Sequence, residues 1–189
     1  CSNYASIIND NNNSDGTGGI AGYLDGKTVD FCYNVGNIEG PENVGGIIGY
    51  VDFLDSDNFT AMYCKNEGYV ESSMGAGGII GGGKNKSGCS LNIISCYNKG
   101  TVSGKTDNNT GGIMGAQDPL SSIGCTFSYC LNEGNAGEYG IVPNASNTFI
   151  HCVSTKEYEE YYNGEGSRIS NVDHWENVVT QLDNENKTT

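Results

Sequence analysis

Short apolar runs recur along the chain, and each run is too brief to form a helix. Ile47 and Ile48, followed by Gly49 and Tyr50, make one such run. A second kind of run, rich in Thr, Tyr, Phe and Ile, occupies residues 60–65, 92–97 and 126–131. β-Branched and aromatic residues in short runs broken by glycine are typical of strands. The pattern therefore predicts two or three short strands in each repeat.

Two signatures define the repeat, and residues 32–50 (CYNVGNIEGPENVGGIIGY) contain both of them. The first is Cys-Tyr-Asn-x-Gly-x-Ile, and the second is Gly-Gly-Ile-Ile-Gly. Aligned on the first cysteine, the units begin at Cys1, Cys32, Cys64, Cys96, Cys130 and Cys152, which gives unit lengths of 31, 32, 32, 34 and 22 residues. Such regular spacing indicates a solenoid, in which each unit buries its apolar face against the next unit.

The predicted fold is all-β, a parallel β-solenoid of about five coils that spans residues 1–154. The crossover rule favours a right-handed path, and each coil is expected to advance by about 4.8 Å. Residues 155–162 and 170–182 are predicted to form two helices. They would make residues 155–189 a helical C-terminal cap and tail, because a solenoid needs its open end covered.

Equivalent side chains of successive coils are expected to stack in the interior as three ladders. Cysteine serves as a small buried hydrophobe, isoleucine forms a second apolar stack, and asparagine bonds its neighbours and the turn backbone. The glycine two residues after each asparagine is expected to supply a left-handed turn position. The ladder residues are Cys32, Cys64, Cys96 and Cys130; Asn34, Asn66, Asn98 and Asn132; and Ile47, Ile79 and Ile113.

The residue after each ladder isoleucine is also apolar, as Ile48, Ile80 and Met114 illustrate. A bend would turn both side chains inward, which is the favoured interpretation. The alternative is an apolar stripe on the outside, which would mark a contact surface.

Composition and charge restrict the partners. The chain has 29 glycines, a net charge of −14 and a pI near 4.2. A chain this acidic lacks the basic face that nucleic acid requires, and no apolar run is long enough to insert into a membrane. Because the sequence opens inside a repeat, it is expected to be a piece of a longer protein with flanking domains. Lipidation of Cys1 is the less favoured alternative, since Cys1 and Asn3 fit the repeat.

Two cysteines lie outside the ladder. Cys89 and Cys125 occupy corresponding places in neighbouring units, so a disulfide between them is one prediction and two free thiols are the alternative. A catalytic cysteine would need a histidine partner, but His151 directly precedes Cys152 and should point to the opposite face. The acidic loops around Asp10 and Asp52 could hold calcium, although solvated loops are favoured. No catalytic, cofactor-binding or metal-binding residue is therefore assigned.

The repeat unit resembles the GLUG-motif repeats of bacterial surface proteins. The similarity covers residues 1 to about 154 and is best at residues 32–49, 64–81 and 96–115. It implies an exported or wall-attached bacterial protein with an adhesin-like β-solenoid. Such repeats also occur in large bacterial proteases that cleave immunoglobulin A. Here the loops are longer than those of the shortest family units, and the fifth unit lacks Gly-Gly.

The function expected is that of a non-catalytic structural or adhesive module of a secreted or cell-surface protein. It would act as a spacer or present loops to a host glycan or a protein ligand. One alternative is a carbohydrate-active solenoid, either a polysaccharide lyase or a sugar-binding module. Another is an accessory region of a large secreted protease. Acids, or acids with Lys or Arg, lining a surface groove would favour the carbohydrate-active alternative.

Overall fold

The structure, a computed structural model, describes residues 1–12, 15–52, 58–84, 89–105, 109–117, 125–136, 139–143, 147–150 and 152–154. These residues contain no α-helix. The predicted helical cap, and with it the domain boundary after residue 154, lies outside them. None of the described residues forms a helix long and apolar enough to cross a membrane.

The same run of strands recurs from coil to coil. The first coil contains β1 (Ser2–Asn3), β2 (Ile7–Ile8), β3 (Thr17–Gly18), β4 (Ala21–Asp25) and β5 (Lys27–Asp30). The second contains β6 (Tyr33–Asn34), β7 (Ile38–Gly45), β8 (Ile48–Asp52) and β9 (Phe59–Met62). The third contains β10 (Lys65–Asn66), β11 (Val70–Gly77), β12 (Ile80–Gly83) and β13 (Leu91–Ile94).

The fourth coil contains β14 (Tyr97–Asn98), β15 (Val102–Gly104), β16 (Thr110–Gly111), β17 (Met114–Gln117) and β18 (Thr126–Ser128). The fifth contains β19 (Leu131–Asn132) and β20 (Thr148–Ile150), and β21 (Val153–Ser154) opens the next turn. Between β19 and β20, the described residues of the fifth coil form only isolated bridges to the fourth coil. Ala136 pairs with Val102, and Tyr139 pairs with Gly111.

Equivalent strands pair in parallel to form four sheets that run along the solenoid. We name them sheet A (β1-β6-β10-β14-β19-β21), sheet B (β15-β11-β7-β2, with β16 and β3), sheet C (β17-β12-β8-β4) and sheet D (β20-β18-β13-β9-β5). The first four coils contribute to all four sheets. The predicted parallel β-solenoid is therefore confirmed, with a fifth coil that is less complete in the described residues than the others.

A left-handed residue precedes each ladder cysteine at the corner between sheets D and A. Phe31, Tyr63, Ser95 and Tyr129 have φ angles of 47°, 54°, 51° and 55°. This conformation costs roughly 1–2 kcal/mol for a residue other than glycine. The backbone hydrogen bonds nevertheless continue through the corner, as from Tyr63 N to Ile94 O at 3.1 Å.

Two apolar clusters fill the interior. The larger one combines the cysteine and isoleucine stacks with Phe59, Leu91, Ile93 and Phe127 of sheet D. It also buries Ile48, Ile80, Met114 and Val142, so the residue after each ladder isoleucine faces inward, as the bend interpretation expected. The smaller cluster lies inside sheet B and consists of Ile38, Val44, Val70, Ala76, Val102 and Ala136.

Candidate functional site

The ladder asparagines form a continuous chain of side-chain hydrogen bonds through the molecule. Nδ2 of Asn34 donates to Oδ1 of Asn66 at 2.7 Å, and Asn66 donates to Asn98, and Asn98 to Asn132, at 2.8 Å each. Each Nδ2 also donates to the carbonyl of the glycine two residues later, as from Asn66 to Gly68 at 2.9 Å. These four asparagines are fully buried. Because their amides are satisfied, burying them carries no large penalty.

The second glycine of each Gly-Gly pair packs against an asparagine of the next coil. A Cβ atom on Gly46 would lie 2.4 Å from Cγ of Asn66, and one on Gly78 would lie 2.3 Å from Cγ of Asn98. Real Cβ atoms do not approach other atoms so closely. The two signatures are therefore parts of one contact, which joins each coil to its successor.

The glycine two residues after each ladder asparagine does not supply the left-handed turn position that was predicted. Among the described residues, glycines with positive φ are Gly26 and Gly75, and the set does not include Gly36, Gly68, Gly100 or Gly134. A Cβ on Gly68 would lie 2.1 Å from the carbonyl oxygen of Gly36 in the preceding coil. These positions need glycine because successive coils approach too closely for a side chain.

The ladder cysteines lie in the interior as free thiols. Cys64, Cys96 and Cys130 are fully buried, and Cys32 and Cys152 are nearly so. Each thiol donates to the carbonyl two residues before it, as from Cys64 to Met62 at 3.4 Å. The hydrogen bond with Cys64, together with burial, raises the pKa of Cys32, and burial raises the pKa of Cys130. Cys32 and Cys130 are therefore held in the neutral form, as an apolar core requires.

Cys89 and Cys125 are both buried and both free, so the predicted disulfide between them is not present. The strand register gives the reason. Asn92 pairs with Thr126, so Leu91, and not Cys89, lies opposite Cys125. The two cysteines are two positions out of register and do not occupy equivalent sites.

A charged and aromatic cluster covers sheet A on the outside. Lys65 lies between the rings of Tyr33 and Tyr97, with Nζ 5.4 and 5.5 Å from the ring centroids. Its Nζ is also 3.1 Å from Oε1 of Glu67, and the Tyr33 hydroxyl donates to the other carboxylate oxygen. Burial opposes ionisation of Glu67, but the bond from Tyr33 and the Lys65 ammonium outweigh it and lower the pKa of Glu67. The cluster fastens three neighbouring coils together.

A polar groove of about 270 Å³ crosses the outer face of sheet B. Glu39 and Glu71 lie directly opposite each other on neighbouring strands in its floor. Asp10 borders the groove on one side and Lys105 on the other. The lining also includes Ile8, Asn9, Asn12, Pro41 and Ser73.

Partly buried hydrogen bonds of Ser72 and Tyr69 hold the strand that carries Glu71. Ser72 is fully buried and donates to the carbonyls of Met74 and Pro41 at 3.0 and 3.3 Å. The Tyr69 hydroxyl donates to Oε2 of Glu71 at 2.7 Å, and that hydrogen bond raises the pKa of Tyr69, as do the charges of Glu71 and Glu39. Like charges on facing strand positions destabilise a sheet. A ligand that bonds both carboxylates would offset this repulsion.

In the described part of the chain, no group of three or more His, Cys, Asp or Glu side chains is placed to hold a metal ion. His151 and His174 lie outside that part. So do residues 13 and 55–57, which belong to the two acidic loops considered for calcium.

Comparisons with protein-family models, curated proteins and solved structures found no match to this chain.

Proposed function

We propose that the chain is a non-catalytic structural or adhesive repeat module of an exported bacterial surface protein. It acts as a spacer, or as a scaffold that presents loops to a host glycan or a protein ligand. The repeated residues support the structural role, because asparagine, cysteine and glycine are all used in contacts between coils. The resemblance of the repeat to GLUG motifs supports the bacterial and exported setting.

The observation that carries the proposal is the separation of repeated and variable positions. The buried asparagine chain is the same in every coil from Asn34 to Asn132. The segments that follow the strands of sheet C, such as the one between Asp52 and Asn58, differ from unit to unit in length and sequence. A framework of fixed contacts that carries variable loops is suited to presenting a binding surface.

Loop insertion tests the scaffold role. A short epitope tag is inserted between Asp52 and Asn58, and a matched control receives the same tag between Ile47 and Ile48. The loop variant should keep the melting temperature of the parent and bind the tag antibody while folded. The control should unfold, because it interrupts the isoleucine stack. Unfolding of the loop variant would contradict the proposal. Protease treatment of intact producing cells tests export, since a surface module should be cleaved.

A second candidate function is the binding of a sugar chain in the groove on sheet B. The groove combines facing carboxylates with amide side chains and exposed apolar surface at Ile8, which is 66% exposed. Carboxylates accept hydrogen bonds from sugar hydroxyls, and amide side chains both donate and accept them. Apolar surface packs against the faces of the sugar rings. Glu39 and Glu71 are the residues on which this candidate depends.

A glycan array distinguishes the two functions. The wild type should bind at least one glycan, and Glu39→Gln and Glu71→Gln should each weaken that binding tenfold or more. Glu42→Gln is the matched control, because Glu42 lies on the same strand but does not line the groove. Failure of the wild type to bind any glycan would rule out the sugar-binding candidate and leave the scaffold proposal standing.

A further inference from the structure

The last two thiols of the cysteine stack differ in how they are enclosed. Cys130 is fully buried, whereas Cys152 is 8% exposed. Leu131 pairs with Val153 and Asn132 with Ser154, so the two cysteines before these strands lie opposite each other on neighbouring coils. The spacing of paired strands is about 4.8 Å, which lies within the roughly 4.4–6.8 Å that separates the Cα atoms of a disulfide.

The coil between these two cysteines is the shortest and the least enclosed in the described structure. It spans 22 residues, against 31–34 for the others, and its described residues add no strand to sheet C. A disulfide brings its Cβ atoms to about 3.5–4.5 Å, slightly closer than the strand spacing. The coil between Cys64 and Cys96 is paired on both sides in all four sheets, which holds these two cysteines at that spacing. In its described residues, the fifth coil has fewer strand pairings that resist such a shift.

The two thiols differ in accessibility. Cys130 is fully buried, whereas Cys152, at 8% exposure, is the member of the pair that a peroxide reaches first. The neighbouring Cys130 also lowers the pKa of Cys152, while burial raises the pKa of Cys130, and the thiolate is the reactive form of cysteine. Cys152 is therefore the nucleophile of the pair, and Cys130 is the thiol that resolves the oxidised intermediate.

We propose that Cys130 and Cys152 form a redox-active pair, which a peroxide oxidises to a disulfide that locks the fifth coil. The Cys152 thiolate attacks one peroxide oxygen, breaks the O–O bond and becomes a sulfenic acid, while hydroxide leaves and takes up a proton. The Cys130 sulfur then attacks the Cys152 sulfur, and the hydroxyl group leaves with the Cys130 proton as water. Two thiols lose two electrons and two protons, and hydrogen peroxide becomes two water molecules.

The disulfide closes the fifth coil into a covalent loop. Because β21 (Val153–Ser154) is the last strand among the described residues, a link between Cys130 and Cys152 joins the last two described turns and resists their separation. Reduction by an external thiol releases the link. The stack is thus an apolar core along most of its length and a redox-controlled fastening at its end.

Thiol counting and peptide mapping test the proposal in a Cys1→Ser background, which removes the exposed thiol. Reduced protein is treated with hydrogen peroxide, denatured and titrated, and the count should fall from seven thiols to five. Mass spectrometry of the digest should find the peptides of Cys130 and Cys152 joined. Adding Cys152→Ser should abolish the link, and adding Cys89→Ser, the matched control outside the stack, should keep it.

An unchanged thiol count, or a link between another pair such as Cys64 and Cys96, would overturn the proposal. So would oxidation of Cys152 to a sulfinic acid without a link to Cys130. If Cys152→Ser does not fold, brief alkylation of the reduced Cys1→Ser protein decides. Cys152 should be modified at least tenfold faster than Cys64 and Cys96, and equal rates would refute the assignment.

Discussion

At the scale of the single residue, each ladder asparagine is held by hydrogen bonds that a carboxylate cannot reproduce. Asn66 donates to Gly68 O and to Asn98 Oδ1, and accepts a hydrogen bond from Asn34. An ionised aspartate would place oxygens against two acceptors and bury a charge. The identity of this side chain therefore determines the stability of the whole column.

Asn66→Asp should lower the free energy of unfolding at pH 7 by about 3 kcal/mol or more. Burial raises the pKa of the new carboxyl group in the folded state above its unfolded value of about 3.9. The loss relative to wild type should thus be smallest below about pH 3.9 and grow as the pH rises. Urea unfolding of the wild type and of Asn66→Asp across this pH range measures the loss of stability. Asn92→Asp, at a half-buried site on sheet D, is the control, and an equal loss there would contradict the account.

The glycine that packs against the ladder gives a second prediction at this scale. In Gly78→Ala the new Cβ would fall 2.2 Å from Gly112 O and 2.3 Å from Asn98 Cγ. Neither neighbour has room to move, so the variant should lose about 3 kcal/mol or fail to fold. In Gly83→Ala the nearest atom is the flexible Met114 Cε at 3.2 Å. Gly83→Ala, the control, should lose less than about 1 kcal/mol of unfolding free energy. Chemical denaturation measures both variants, and similar losses in the two would count against the packing described.

At the scale of the element, the cysteine stack ties stability to pH. The pKa values of Cys32 and Cys130 are raised in the folded state, whereas thiols of the unfolded chain ionise near pH 8.5. Above that pH the unfolded state loses protons before the folded state does. Stability should therefore fall as the pH rises, by about 1.4 kcal/mol per pH unit for each such thiol.

Unfolding free energies measured between pH 7.5 and 9.5 under reducing conditions test this dependence. Cys130→Ala should reduce the slope by the contribution of one thiol, although it also lowers stability at every pH. Cys1→Ala, which removes an exposed thiol, is the control and should leave that contribution in place. An equal slope in the wild type and in Cys130→Ala would show that Cys130 is not held neutral.

The elements also show which features the sequence could predict. Cysteine and asparagine recur at fixed offsets, so the strands of sheet A could be aligned without a structure. The same offsets argue against the bridge between Cys89 and Cys125, because the ladder cysteine follows seven residues after the first and five after the second. The left-handed corner gave no such signal, because Phe31, Tyr63, Ser95 and Tyr129 include none of the residue types that favour positive φ.

At the scale of the whole molecule, the groove on sheet B joins parts of several coils. Glu39 and Glu71 each lie seven residues after a ladder cysteine, so their stacking was visible in the spacing. Asp10 and Lys105 each lie nine residues after the cysteine that opens their unit, Cys1 and Cys96, so their approach to the groove was visible in the spacing as well. The spacing does not determine the side chains of that row, which are Asp10, Pro41, Ser73 and Lys105. Repetition predicts where the groove lies, and the residues that vary from coil to coil determine its chemistry.

The central claim is that equivalent residues of successive coils lie directly above one another. The most direct test is the distance between spin labels in the outer column of residues that directly follow the strands of sheet A. The labels are attached through an unnatural amino acid so that the cysteines stay unmodified. Labels at Tyr4 and Lys99 should be separated by three coils, about 14 Å, and labels at Tyr4 and Glu133 by four, about 19 Å. Two narrow distributions that differ by about 4.8 Å would agree with the stacking. Equal mean distances, or broad distributions with several maxima, would contradict it.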